Sequence, residues 1–290
     1  MADSKASRSK GSLTVPLREE LSDALGALSG LLPTEFSRQP RSLTYLKFFK
    51  ATEFRSFLLY TGVVVLRDVL GAGQYDHFVT LSVAIRLLSE TDSAKRGISI
   101  SLADKLLKMY VRQSRRYYGR KFLVYNVHNL THIAADVERF GLSLTELSSF
   151  PFENYLGTLK RYVRGRRNPL VEIVKRRDEF QSASIDKPRS KRCFKVLPNG
   201  RDSVFEVDDG VVFVRRVANK GTYFCDMFKR RVLANFFEKP MPSTSLGIYY
   251  LASDSPSTRI TVDHSVLHRK LVCVPYRDDG FVLTSLLHDN

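Results

Sequence analysis

The stretch FPFENYLGTLKRYVRGRRNP, residues 150–169, sets one carboxylate, Glu153, seven residues ahead of Lys160 and a run of arginines. Three kinds of chemistry suit such a carboxylate: a favourable charge at a helix start, an ion-pair partner for the bases, or one acid of a metal site that cuts nucleic acid. At about 100° per residue, Phe152, Tyr155, Leu156, Leu159 and Val163 fall on one helical stripe, predicted to face the core. Glu153, Gly157, Lys160, Arg164 and Arg167 fall on a second stripe beside it. Gly157 has no side chain, so a phosphodiester backbone with a metal ion, or a neighbouring helix, could approach the backbone there. Pro151 followed by an acid is also common helix-start chemistry, and a single acid does not make a two-metal site.

The bases around this helix point to phosphate. Residues 151–200 hold 13 Lys/Arg against 5 Asp/Glu. Lys160, Arg161, Arg164, Arg166, Arg167, Lys175, Arg176 and Arg177, interleaved with Tyr155 and Tyr162, are the expected nucleic-acid contacts. The competing reading is a solvated basic face beside a protein-interaction module. KPRSKR (187–192) also reads as a nuclear-import patch. Over the whole chain, 46 Lys/Arg against 30 Asp/Glu give a formal charge of +16, which favours polyanionic partners. His128 and His132 stand at i, i+4 in YNVHNLTHIAADVERFG, a spacing that suits a metal, but zinc needs a third ligand and packed or hydrogen-bonded histidines are the favoured reading. His264 and His268 repeat the spacing in TVDHSVLH. GxSxG, Walker A and GxGxxG patterns are absent. Asp68, Asp76, Asp104 and Asp136 lie in helical patterns, whereas an RNase H-like nuclease core needs aspartates on central strands to hold its metals.

The elements that must position these residues change character along the chain. Residues 1–15 form a polar basic tail, expected to be disordered. Residues 16–180 follow a helical period. In this region LREELSDALGALSGLL, LTYLKFFKATEFRSFLLYTGVVVLRDVL with Gly62 as a break, DHFVTLSVAIRLLS, SLADKLLKMYVRQSRRYY and YNVHNLTHIAADVERF are predicted helices. Gly119 and Gly141 are predicted stops. Residues 181–192 read as a basic linker, and 193–290 as short strands: CFKVL, SVFEV, VVFVRRV, TYFCDMF, VLANFF, GIYYLA, RITVD, KLVCVPY and FVLTSLL, separated by turns such as DDG and RDDG. The fold class is therefore α+β: a helical domain followed by a small antiparallel β-barrel or sandwich. Three scattered cysteines suggest neither a disulfide framework nor a zinc knuckle. The longest apolar run, Phe57–Leu66, is too short to span a bilayer, and no signal-peptide pattern opens the chain. A nuclear or cytoplasmic setting follows as the expectation, without a membrane partner.

Three stretches carry a family likeness: LPTEFSRQPRSLTYLKFFKATEFRSFLLYTG (32–62), YNVHNLTHIAADVERFG (125–141) and SSFPFENYLGTLKRYVRGRRNPLVEIVKRRDE (148–179). They resemble the C-terminal half of transposase-derived proteins of the CACTA (EnSpm) DNA-transposon class. Phe-Glu-x-Tyr-x-Gly-x-Leu-Lys is the most specific element. The likeness spans most of residues 30–290, with a Phe49 where the family tends to carry Trp. In DDE-type transposases the last metal-binding acid opens a helix, with a base facing DNA two turns later, so the resemblance implies that Glu153 is a former or actual third acid. His128 and His132 match a histidine pair of the family. The segment bearing the first two aspartates does not appear in this sequence, so the resemblance implies a DNA-binding fragment that is catalytically incomplete. Mg²⁺ or Mn²⁺ would enter only with a complete DDE site. DNA, other transposase chains or host nuclear proteins are the implied partners.

Overall fold

The computed structural model describes residues 11–90, 96–165, 168–184, 195–198, 200–219 and 221–287. Helices fill the first part: α1 (Val15–Ala27), α2 (Ala51–Ser56), α3 (Gly62–Val69), α4 (Ala72–Ser89), α5 (Arg96–Tyr118), α6 (Tyr125–Asn129), α7 (Ile133–Phe140), α8 (Leu144–Leu147), α9 (Phe150–Tyr162) and α10 (Pro169–Ser184). Strands follow: β1 (Val204–Val207), β2 (Gly210–Asn219), β3 (Thr222–Lys229), β4 (Ala234–Asn235), β5 (Ile248–Ala252), β6 (Thr258–Asp263), β7 (Arg269–Tyr276) and β8 (Gly280–Ser285). The protein is thus α+β, helices first. Its strands form one curled antiparallel sheet in the order β4-β5-β8-β7-β1-β2-β3-β6. The sheet curls into a half-barrel, with β4 and β6 as its edges among the described residues.

Helices and sheet share a core. Leu59, Val63, Val79, Val83 and Leu107 of the helical part pack in one cluster with Ile248, Val272, Val274 and Val282 of β5, β7 and β8. Strand alternation sends the intervening Tyr249, Leu251, Leu271 and Leu283 to the inner face of the curl, against Val211 and Phe213 of β2. Phe205, Val212, Val214 and Cys225 bury the opposite face of the β1-β2-β3-β6 half. Charged side chains reinforce the joint. Arg86 of α4 is buried and donates to the carbonyls of Leu246 and Ser285 at 2.9 and 2.6 Å. Arg277, just after β7, donates to both oxygens of Asp68.

Four local expectations need correction. Gly62 does not break a helix. Residues 51–69 run continuously through a π-turn at Phe57–Thr61, and Gly62 closes it. A Cβ at Gly62 would meet the Phe57 carbonyl oxygen at 2.5 Å and the Phe78 ring at 2.8 Å. Leu43–Phe48 ahead of it is a 3₁₀ turn with no buried residue, rather than a buried helix. YNVHNLTHIAADVERF is two helices, broken around Leu130–His132. The stops at Gly119 (φ 83°) and Gly141 (φ 64°) are as predicted, because both take backbone angles that L side chains disfavour. CFKVL contributes no strand among its described residues, 195–197.

Gly62→Val is expected to lower stability by about 1–3 kcal/mol, since the β-branched side chain overpacks a filled site. Gly26→Ala, in α1 with nothing within 4 Å of where the new methyl group would sit, is expected to raise stability by about 0.4–1 kcal/mol. Thermal melts of the two variants should move in opposite directions.

Candidate nucleic-acid interface

Helix α9 opens as the sequence indicates, with Pro151 in its first turn and Glu153 behind it. Ser149 Oγ donates to Glu153 Oε1 at 3.2 Å, and the Glu153 side chain is otherwise on the surface. The helix root is held by Arg55 of α2, whose guanidinium lies 5.2 Å from the centre of the Phe150 ring and donates to Thr145 at 3.0 Å. Burial lowers the Arg55 pKa from its usual value.

The helix ends at Tyr162, and Val163 is extended. The basic stripe inferred from the wheel is therefore cut: Glu153, Gly157 and Lys160 share the helix, but Arg164 lies in the following turn. Arg166 and Arg167 lie outside the described residues, as does KPRSKR. The turn is clasped by Glu172 of α10, whose Oε2 accepts from the backbone N–H groups of Arg164 (2.7 Å) and Gly165 (3.1 Å). Those two donors hold the Glu172 carboxyl below its usual pKa. Tyr162 and Phe180 stack at 5.4 Å, so the end of α9 meets the second half of α10 across the turn, and the two helices are called the α9–α10 hairpin below.

The predicted core stripe of α9 is a second correction. Phe152, Tyr155 and Leu156 are 70%, 54% and 62% exposed, and Leu170, Val171 and Val174 of α10 are open too. Periodicity identifies an apolar face, but the described fold leaves its first half open and only half-buries Leu159 and Val163. The bases share this accessible hairpin. Lys160, Arg161, Arg164, Lys175 and Arg177 are exposed, and Arg176 is half-buried. Arg176 pairs with Glu179 at 3.4 Å and Arg177 with Asp178 at 3.8 Å. Among the described residues Lys160, Arg161 and Lys175 form no ion pair. Gly157 has nothing within 4 Å of where a Cβ would sit, so the backbone there is as open as expected.

His128 and His132 are brought together on the surface, Nε2 to Nε2 at 3.4 Å. Among the described residues, no group of three or more His, Cys, Asp or Glu could hold a metal ion, so neither this pair nor Glu153 is part of such a group. His264 and His268 are separated: His264 Nδ1 meets the Tyr223 hydroxyl at 3.2 Å, and His268 Nε2 meets Asp208 at 2.7 Å.

Residues 168–286 match a family model described as Domain of unknown function (DUF8592). The matched region begins beside α10 and runs through β8. It takes in one arm of the hairpin and the whole sheet, and is less than half of the chain. No curated protein and no solved structure matches the chain.

One basic surface escapes motif reading. Residues 105–135 contain seven Lys/Arg and no Asp/Glu. Arg112, Arg115 and Arg116 at the end of α5, with Arg120 and Lys121 after it, are all exposed, and Tyr125 next to them is 76% exposed. The acid-free run is the available signal. It is easily passed over because the helix that carries it reads first as amphipathic packing.

Proposed function

We propose that this chain binds DNA through the exposed bases of the α9–α10 hairpin, as a transposase-derived fragment that does not cut DNA by itself. The supporting observation is the hairpin: Lys160, Arg161, Arg164, Lys175 and Arg177 are accessible together, and Lys160, Arg161 and Lys175 form no ion pair among the described residues. Phosphate contact releases condensed counterions, which makes such a surface attractive to duplex DNA. The acid-free run at 105–135 extends the positive field. The transposase ancestry rests on the sequence likeness at 32–62, 125–141 and 148–179, and in this reading Glu153 is a carboxylate that has outlived its metals.

A salt series on labelled duplex DNA tests the reading. Log K is expected to fall against log salt with a slope of about −3.6 or steeper, four phosphates at about 0.9 each. A flat plot refutes DNA binding. Mg²⁺- or Mn²⁺-dependent nicking that disappears in Glu153→Gln would refute catalytic incompleteness.

The apolar side of the same hairpin favours a second reading, a protein-interaction module. Phe152, Tyr155, Leu156 and Leu170 are a large exposed set for a folded chain. Under that reading a partner host protein or transposase chain stays bound in about 0.5 M salt, where phosphate contacts are largely screened.

A further inference from the structure

The curl of the sheet leaves its inner face partly open. A cavity of about 530 Å³ lies between β2–β3 and β5–β8. Its apolar wall includes Phe213, Phe228 and Phe281, with Phe213 edge-on to Phe228 at 5.3 Å and 6.2 Å from Phe281. Cys273 is in the same wall, and burial pushes its thiol up to about 12, so at neutral pH it is a small apolar group and not a nucleophile. A second cavity, about 650 Å³, adjoins the first at Arg215 and is lined by Arg216, Phe224 and Arg259. Each falls within the roughly 300–1,000 Å³ of a ligand pocket.

A backbone irregularity creates the charge of this trench. On a regular strand Arg215 and Arg216 would point to opposite faces. The register of β2 on β3 slips between Val214 and Arg216, and both arginines line the same cavity. Arg215 is held along the mouth by Asp226 at 2.7 Å. Arg216 lies 4.8 Å over the Phe224 ring, itself 40% exposed. Arg259 sits across from Asp226 on the edge strand β6. Arg216 and Arg259 form no ion pair among the described residues. Two guanidinium groups without a carboxylate partner therefore line the same cavity as the exposed Phe224 ring.

A partner that suits this surface alternates flat, apolar-faced groups with anions. We infer that the curled sheet binds single-stranded nucleic acid, with one base on Phe224, another in the Phe213/Phe281 cavity, and the phosphates on Arg216, Arg259 and Arg215. Base–aromatic stacking needs unpaired bases, so this site is selective for single strands where the helical hairpin is not. The inference stands independently of the hairpin reading, because no residue is shared.

The test uses the full chain and a fluorescent 12-nucleotide oligothymidylate in anisotropy titrations. Phe224→Ala is expected to weaken binding about 5- to 150-fold. Arg216→Ala with Arg259→Ala is expected to reduce the slope of log K against log salt by about 1.4, two phosphates at about 0.7 each on a single strand. These side chains lie at the surface, so melting temperatures should hold and any loss is one of contact. Photocrosslinking with bromouridine in the oligonucleotide should label peptides containing Phe213, Phe224 or Phe281. Unchanged affinity and slope in both variants, or crosslinks confined to α9–α10, would overturn the proposal. So would equal displacement by thymidine monophosphate at matched nucleotide concentration, which would make the trench a small-anion pocket. Loss of duplex binding in hairpin variants leaves the oligothymidylate contacts at Phe224 in place, so the two readings can fail separately.

Discussion

Lys270→Ala is expected to remove about 3–5 kcal/mol of folding stability, the cost of leaving buried charge without its partner. Lys270 is the second residue of β7, and its side chain is fully buried. Its Nζ donates to Asp202 Oδ1 at 2.9 Å and to Glu35 Oε1 at 2.6 Å. Asp202 Oδ1 also accepts from the Thr34 N–H at 3.0 Å and the Thr34 hydroxyl at 3.2 Å. The cluster therefore joins three remote places: the loop after α1, the turn before β1, and the strand where the two halves of the sheet meet. Removing the amine leaves two carboxylates facing each other in a site without water access to Asp202. Urea midpoints at constant m-value measure the loss. Lys270→Met with Asp202→Asn should recover part of it, because the amide still accepts from Thr34 and only the Glu35 carboxylate is left charged. A Lys270→Ala protein as stable as the parent would show that the cluster contributes little.

The same cluster fixes a pH dependence. Burial on its own would raise the Asp202 carboxyl, but the Thr34 N–H and the Lys270 ammonium outweigh it and hold the pKa below its usual value. A carboxyl depressed in the folded state contributes stability that is complete above the unfolded value, about 3.9, and is lost as pH falls through the folded one. Glu53 acts in the same direction: its burial is outweighed by Arg41, which bonds both carboxylate oxygens at 2.7 and 2.8 Å. Acid unfolding should therefore begin below pH of about 4, and Asp202→Asn should flatten its onset.

Local signals explain what could be anticipated and what could not. Turn residues carry their own conformational demand, so DDG before β2 and RDDG before β8 mark real hairpins. Strand alternation sorts the residues of β5, β7 and β8 between two faces, but it does not mark exposure, because both faces are covered. The Lys270 cluster is invisible in the sequence because its members are separated by up to 235 residues, and a lysine in KLVCVPY looks like any strand-end charge. Arg215 and Arg216 are invisible for a different reason: a bulge changes the period by one residue, and nothing in VVFVRRV marks it. On α9 the period is legible, yet the burial inferred from it is wrong. An apolar stripe says which side avoids water, and not whether the rest of the chain supplies a cover.

That uncovered hairpin carries the largest functional prediction. Replacing Lys160, Arg161, Lys175 and Arg177 together by glutamine is expected to weaken duplex DNA binding about a thousand-fold at 0.15 M salt. Each phosphate contact contributes about 0.9 to the salt slope, and 0.15 M lies about 0.8 log units below the 1 M reference, so four contacts sum to about three log units. Glutamine is close to lysine and arginine in helix propensity, and these side chains are exposed, so stability should stay within about 0.5 kcal/mol. The salt slope should become shallower by about 3.6 in the same protein, which a folding defect would not produce. Loss of affinity with an unchanged slope would mean that these bases position something other than phosphate. Unchanged affinity would move the DNA contact to Arg112, Arg115, Arg116, Arg120 and Lys121, whose five bases predict a slope of about −4.5 from the end of α5 and the turn after it.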